Sequence, residues 1–318
     1  MADQDRTPER PANRDRRSSV ERAAELLAVS QAQPAPPPRS PLDGAPMTDA
    51  PDLPMPAAEP FRVPPAARGI AARPTRNRAT IDMERLRAAG MVTSFSDHTQ
   101  VAEEFRIVKR PLLLKAFAAP PDNIENGNLI MVTSSKAGEG KTFCAVSLAM
   151  SIALERDLTV LLVDADVAKP DIPNLLGIEA QKGLVDLIAD DDLELSDVLI
   201  RTDLENLSIL PAGRQHHLAT ELLASEKMDR FVRDVARRYP DRVIIFDSSP
   251  VLLSSVPSVI ALHVGQVLFV VEANRTAQPS VEAALGMIGS CANINLLLNK
   301  TRPVGNSDRF GAYYGYYR

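Results

Sequence analysis

Between residues 128 and 300 the chain alternates short, almost wholly apolar runs with longer stretches of helical periodicity. The runs are NLIMVTS (128–134), TVLLVDAD (159–166), LSILPAG (207–213), RVIIFDSS (242–249), QVLFVVEA (266–273) and NINLLLNK (293–300). A strand with one face in water alternates polar and apolar residues. A run without alternation predicts a strand covered on both faces, as in a parallel sheet sandwiched by helices. The segments between, among them Lys141–Arg156, Ala219–Tyr239 and Pro279–Cys291, are long enough for crossover helices. The predicted fold is therefore α/β: a doubly wound, mainly parallel sheet with helices on both faces and no internal repeat.

Upstream, residues 81–120 have a helical pattern around DMERLRAAG and VAEEFRIVKRPLLLKAF. Glu103, Arg106 and Lys109 follow at three-residue spacing and are expected to share a face, with Phe105, Val108 and Leu112 on the apolar side. Pro111 is expected to kink the helix or restart it.

Composition changes near residue 80. Of the 26 prolines, 15 lie in residues 1–80, where Phe61 is the only aromatic residue and every basic residue is an arginine. Such a segment cannot bury enough apolar surface to offset chain entropy and is expected to be disordered, with polyproline character around Pro34–Pro41. One island, SSVERAAELLAV (18–29), has serine caps and an apolar stripe at Val20, Ala24 and Leu27. It reads as a nascent helix or as a docking segment that folds on a partner.

The formal charge of −5, with no lysine or arginine run, offers no basic field to nucleic acid. No apolar stretch approaches the roughly eighteen residues of a membrane span, and the N-terminus has no signal-peptide core, so a cytosolic protein is expected. Cys144 and Cys291 lack metal-ligand spacing and read as core residues.

The chemistry concentrates at the C-terminal ends of the apolar runs. VTSSKAGEGKT (132–142) is almost a phosphate-binding loop, G-x-x-x-x-G-K-[ST], with Ser135 where the first glycine belongs. Gly138, Gly140, Lys141 and Thr142 keep the parts that matter. Flexible residues let backbone N–H groups form an anion nest at a helix start, the lysine charges the β and γ phosphates, and the threonine hydroxyl meets magnesium. Asp164 and Asp166 end one run and Asp247 another, on the edge where ligands of parallel sheets bind. Together they can hold hydrated magnesium and leave one acid to accept a hydroxyl proton. Asn299 ends a fourth run, where an amide can meet a purine edge or simply make a turn. His216 and His217 precede a helix and read as solvated cap residues.

Four of the five tyrosines, Tyr313, Tyr314, Tyr316 and Tyr317, crowd the last six residues, flanked by glycines. The sheet edge that carries the phosphate loop also releases this tail after Asn299. About twelve extended residues reach about 40 Å, so the hydroxyls can enter a nucleotide site, their own or a neighbour's. A sticky tail that docks on a partner through its rings is the alternative.

With SSKAGEGKT, VDAD, IIFDSSP, EEFRIVKRP and the tyrosine cluster in hand, residues 80–318 resemble the bacterial tyrosine kinases of the polysaccharide-export class. They are most similar to the autokinases of exosortase (PEP-CTERM)-linked exopolysaccharide systems. The resemblance implies a P-loop NTPase fold, ATP and Mg2+ as cofactors, and transfer of the γ-phosphoryl group to tail tyrosines of an adjacent subunit. By motif, residues Ser135, Lys136, Ala137, Gly138, Glu139, Gly140, Lys141, Thr142 and Phe143, with Asn299, hold the nucleotide. Thr142, Asp166 and Asp247 organise the metal, and Lys141, Asp164 and Asp166 are catalytic, with Asp164 the base. Glu103, Arg106 and Lys109 stand for the helix that joins neighbours into a ring. The implied partners are a separate transmembrane chain-length-determinant protein as activator, a tyrosine phosphatase and further copies of the chain, which places the protein peripherally on the inner membrane.

The implied organisation is a disordered region at 1–80, a helical segment at 81–120, the kinase domain at 121–303 and the flexible tail at 304–318. Three positions depart from the family pattern: Lys109 replaces an arginine, Ala168 a basic residue and Ala137 a proline. Two other functions share these motifs: a positioning or partition ATPase with Lys136 as its signature lysine, and a nucleotide-gated adaptor without catalysis.

Overall fold

The computed structural model describes residues 77–93, 99–118, 122–155, 157–239 and 241–301, all within one unit, Phe61–Arg318. The island at 18–29, the proline-rich region and the tail with Tyr313, Tyr314, Tyr316 and Tyr317 lie outside the described residues.

The described strands are β1 (Arg78–Ala79), β2 (Leu129–Ser134), β3 (Thr159–Ala165), β4 (Ile200–Thr202), β5 (Leu207–Leu210), β6 (Arg242–Ser248), β7 (Gln266–Glu272) and β8 (Ile294–Asn299). They form one sheet in the order β1-β4-β5-β3-β6-β2-β7-β8. Every pairing from β5 to β8 is parallel; β4 runs antiparallel to β5, and β1 lies parallel to β4. Each of the six apolar runs contains one strand of the parallel part. β1 and β4 have two and three residues, too few for any periodicity to be read.

The helices are α1 (Met83–Ala88), α2 (Gln100–Ala116), α3 (Lys141–Ala153), α4 (Ile172–Leu176), α5 (Leu184–Ala189), α6 (Leu195–Val198), α7 (Ala219–Leu223), α8 (Glu226–Arg238), α9 (Val256–Ile260) and α10 (Gln278–Met287). They cover both faces. Ile130, Val132, Val160, Leu162, Val243 and Ile245 pack toward α1 to α4. Their sequence neighbours Leu129, Met131, Leu161, Val163, Ile244 and Phe246 pack toward α5 to α10. This alternation of two apolar faces is why those runs show no polar period. From Cys144 to Ala153 every residue of α3 is buried, as an all-round apolar helix must be.

Three expectations change. The predicted helix Ala219–Tyr239 is two helices. Ser225 sits at the break with extended backbone, its hydroxyl donating to the Leu222 carbonyl at 2.6 Å, a local bond that competes with helix continuation. Of the two outcomes expected at Pro111, a restart is excluded, since α2 runs through it. The carbonyl deprived of a donor belongs to Ile107, itself 56% exposed, where water can replace the missing bond. Finally β8, the edge strand beside β7, is not covered on both faces along its whole length. Leu297 joins the core beside α2 and α3, while Leu296 and Leu298 are exposed.

Candidate active site

The loop from β2 to α3 bends through two left-handed glycines, Gly138 (φ 87°) and Gly140 (φ 94°). A Cβ on Gly140 would also stand 2.2 Å from Asn299 Nδ2, so a side chain there is strained by its φ and must displace the Asn299 amide. The loop is braced from within by Glu139, 3% exposed. Its carboxylate accepts from Ser135 Oγ at 2.9 and 3.1 Å, from the Lys136 N–H at 2.6 Å and from the Thr276 hydroxyl. The serine that breaks the strict motif is thus a fully buried donor tying the loop's start to its end. Lys136, Ala137 and Gly138 are exposed. Phe143 faces α2 instead of the loop's mouth: its ring tilts against Phe105 at 6.4 Å between centroids.

Beside the loop stand the aspartates. The β3–β6 register places Asp164 opposite Asp247, on strands about 4.8 Å apart. Both are buried. Burial, then the Asp247 charge, pushes the Asp164 carboxyl up to about 8. Its two backbone partners, the N–H groups of Asp166 and Ile172, are both at 3.3 Å and offset this only weakly. Burial likewise raises Asp247, while the Lys141 charge and the Thr142 hydroxyl pull it back to about 7. Thr142 faces Asp247 without satisfying it, for neither carboxylate oxygen closes a hydrogen bond among the described residues. Asp166 is saturated: Lys141 Nζ at 2.8 Å, Ser249 Oγ at 3.0 Å and the Lys169 N–H at 3.3 Å. Ser249 was not foreseen, because nothing distinguishes it from the neighbouring serine in IIFDSSP.

Two buried carboxylates, one of them without partners, cannot both ionise unless a positive charge joins them. That is the donor set expected of a divalent cation site. Among the described residues no three His, Cys, Asp or Glu side chains converge as a metal cluster. A cation here would be held by Asp247, Asp166 and Thr142 only in company with phosphate oxygens, the habit of magnesium.

The remaining predicted residues fall as follows. Asn299 lies on the phosphate loop, its Nδ2 donating to the Glu139 carbonyl at 2.9 Å. Glu103 and Arg106 pair with each other on α2, both about one-third exposed. Lys109 does not share their face. It is buried, bonding the Ser151 carbonyl at 2.7 Å and Glu155 at 2.6 Å within the chain. Each three-residue step rotates back by about 60° around a helix of 3.6 residues per turn, so after two steps Lys109 sits beside Phe105 and Leu112. His216 and His217 stack at 4.7 Å, and His216 Nδ1 accepts from the Leu218 N–H. Cys144 and Cys291 are buried, and burial pushes the Cys144 thiol up to about 12, which leaves it inert at neutral pH. Among the described residues no helix is long and apolar enough to cross a membrane.

A family model described as an AAA domain matches residues 127–299. CapB of Staphylococcus aureus, described as a candidate tyrosine-protein kinase, is 26% identical over 217 residues, 68% of this chain and 90% of CapB. The tyrosine-protein kinase Wzc of Salmonella typhi is 29% identical over 158 residues, 50% of this chain; the chain spans only 21% of Wzc. The crystal structure of the VpsO kinase domain superposes with a TM-score of 0.54 at 29% identity, over 66% of this chain and 100% of that one.

Proposed function

We propose that this chain, which belongs to the AAA domain family, is an ATP-dependent protein-tyrosine autokinase that phosphorylates the tail tyrosines of a neighbouring copy. Its named relatives are tyrosine-protein kinases. One observation carries the reading: Lys141, Asp164, Asp166 and Asp247 meet at the foot of a braced phosphate loop, and the chain departs toward the tyrosines from that loop's rim. Lys300 Nζ donates to the Gly138 carbonyl at 2.6 Å. From there Tyr313 is thirteen residues on, a reach of about 43 Å at roughly 3.3 Å per residue.

The loop N–H groups and Lys141 hold the triphosphate, and Lys141 releases Asp166 as it turns to phosphate. Thr142, Asp166 and Asp247 would hold magnesium, which would supply positive charge to the phosphates and favour ionised carboxylates. Asp164, buried and adjacent, takes the phenol proton as the tyrosine oxygen bonds to the γ-phosphorus and the bond from that phosphorus to the departing ADP breaks. Glu103 and Arg106 are proposed to contact the next subunit; Lys109 serves the chain's own core. A membrane chain-length-determinant protein as activator, a tyrosine phosphatase, attachment at the inner membrane and a role in exopolysaccharide export belong to the same proposal.

The test is phosphotyrosine formation by the purified chain with ATP and magnesium. Wild type should label the tail, and neither Lys141→Met nor the variant with Tyr313, Tyr314, Tyr316 and Tyr317 all changed to Phe should do so. ATP hydrolysis with no phosphotyrosine, with or without the membrane partner, would instead describe a positioning ATPase.

A further inference from the structure

The underside of the phosphate loop is held by Lys300 and Thr276, to which the sequence assigned no role, and by Asn299, expected at a purine edge. Lys300, one residue beyond β8 and in a left-handed conformation at φ 56°, donates Nζ to the Gly138 carbonyl at 2.6 Å and pairs with Glu272 at 3.2 Å. Asn299 donates Nδ2 to the next carbonyl, that of Glu139, at 2.9 Å. Thr276, after β7, donates to the Glu139 carboxylate and accepts from the Glu272 N–H at 3.1 Å. The end of β8 therefore grips two consecutive peptides of the loop, while the end of β7 holds the Glu139 carboxylate and pairs with Lys300.

A trans peptide is planar, with its carbonyl and its N–H pointing in opposite directions. Pinning the Gly138 carbonyl toward Lys300 turns the N–H of Glu139 the other way. Pinning the Glu139 carbonyl toward Asn299 does the same for the N–H of Gly140. Both N–H groups then point away from β8, into the concave side of the loop, as an anion nest requires. Without these clamps the loop, with glycines at 138 and 140, has many conformations to lose when phosphate binds.

We infer that Lys300, with Asn299 and Thr276, is a positioning residue for nucleotide phosphate, acting through the loop's carbonyls and not by contact with the ligand. This deepens the reading above and rests on its nucleotide-binding half only. Lys300 is also the root of the segment leading to the tyrosines, so the group that aims the loop also fixes where the tail departs.

The experiment is titration of the full chain with ADP and magnesium, alongside thermal melts and the phosphotyrosine assay. Lys300→Met should weaken ADP binding by about tenfold, the cost of ordering roughly one freed loop residue when phosphate binds, with the melting temperature lowered by no more than a few degrees. Thr276→Val should weaken it in the same direction. Glu272→Gln separates aiming from attraction: freeing Lys300 from its partner weakens ADP if Lys300 must be held in place, and strengthens ADP if Lys300 is merely a charge near the phosphates. ADP affinity unchanged in Lys300→Met, or raised in Glu272→Gln, overturns the proposal even if the wild type phosphorylates its tail. A wild type that binds ADP but makes no phosphotyrosine overturns the kinase reading and leaves this test intact.

Discussion

Replacing Asp164 with asparagine should stabilise the metal-free protein at neutral pH. In the fold the carboxyl is raised from 3.8 to about 8, first by burial and then by the Asp247 charge. A carboxyl whose folded pKa lies above its unfolded value contributes stability in full below about pH 4, and that contribution fades as pH rises through 8. At pH 7 the unfolded chain has ionised this group while the folded chain keeps it protonated. The difference of about 3 pH units, at 1.36 kcal/mol each, costs the fold up to about 4 kcal/mol. Asparagine never ionises, and its oxygen can still accept from the N–H groups of Asp166 and Ile172, whose present bonds are long at 3.3 Å. With roughly 2–4 °C per kcal/mol for a domain of this size, the variant should melt up to roughly 8–16 °C above wild type at pH 7 in EDTA. The gap should narrow to a few degrees at about pH 4.5 and vanish only below about pH 4. Circular-dichroism melts of both proteins from pH 4.5 to 8.5 measure it. A gap that does not change with pH, or wild-type stability that rises between pH 5 and 8, would refute the reasoning. The same substitution should lower tail phosphorylation at least a hundredfold while ADP still binds, since a general base contributes about that much.

Two further substitution pairs test the site and the helix beside it. Gly140→Ala should destabilise by about 1–2 kcal/mol, the cost of a left-handed L residue, and should also displace Asn299 and weaken ADP. Gly138→Ala has a similar φ but nothing within 4 Å of its Cβ, so it should lose comparable stability in urea melts and less ADP affinity; equal affinity losses would count against the Asn299 contact. On α2, Lys109→Met should lower stability by about 1–2 kcal/mol through the unpaired Ser151 carbonyl and leave sedimentation unchanged. Arg106→Glu should reduce self-association with little change in melting, and the reverse pattern would return Lys109 to the subunit interface.

The phosphate loop and its acids were legible because their chemistry is local. Lys141 and Thr142 follow the glycines directly, and the aspartates end apolar runs, so sequence position alone implied the sheet edge. The part played by Ser135 was not legible: as a letter it is a broken motif, and only the fold brings Glu139 within reach to make it a brace. Lys109 reads as a surface charge until α2 packs on α3 and supplies Glu155. Asn299 reads as a base contact or a turn residue, and only the fold shows that its amide also reaches the Glu139 carbonyl.

Composition and periodicity were enough for the strands and the long helices, since burial on two faces erases the polar alternation that burial on one face would leave. They failed where the decision is made by neighbours distant in the chain. Two- and three-residue strands exist only as additions to a sheet already formed. The exposure of Leu296 and Leu298 depends on which strand ends the sheet, and strand order is not encoded in any one segment. The raised carboxyls of Asp164 and Asp247 have the same first cause: each is an ordinary aspartate until the assembled sheet and its helices bury it, and for Asp164 parallel pairing adds the Asp247 charge.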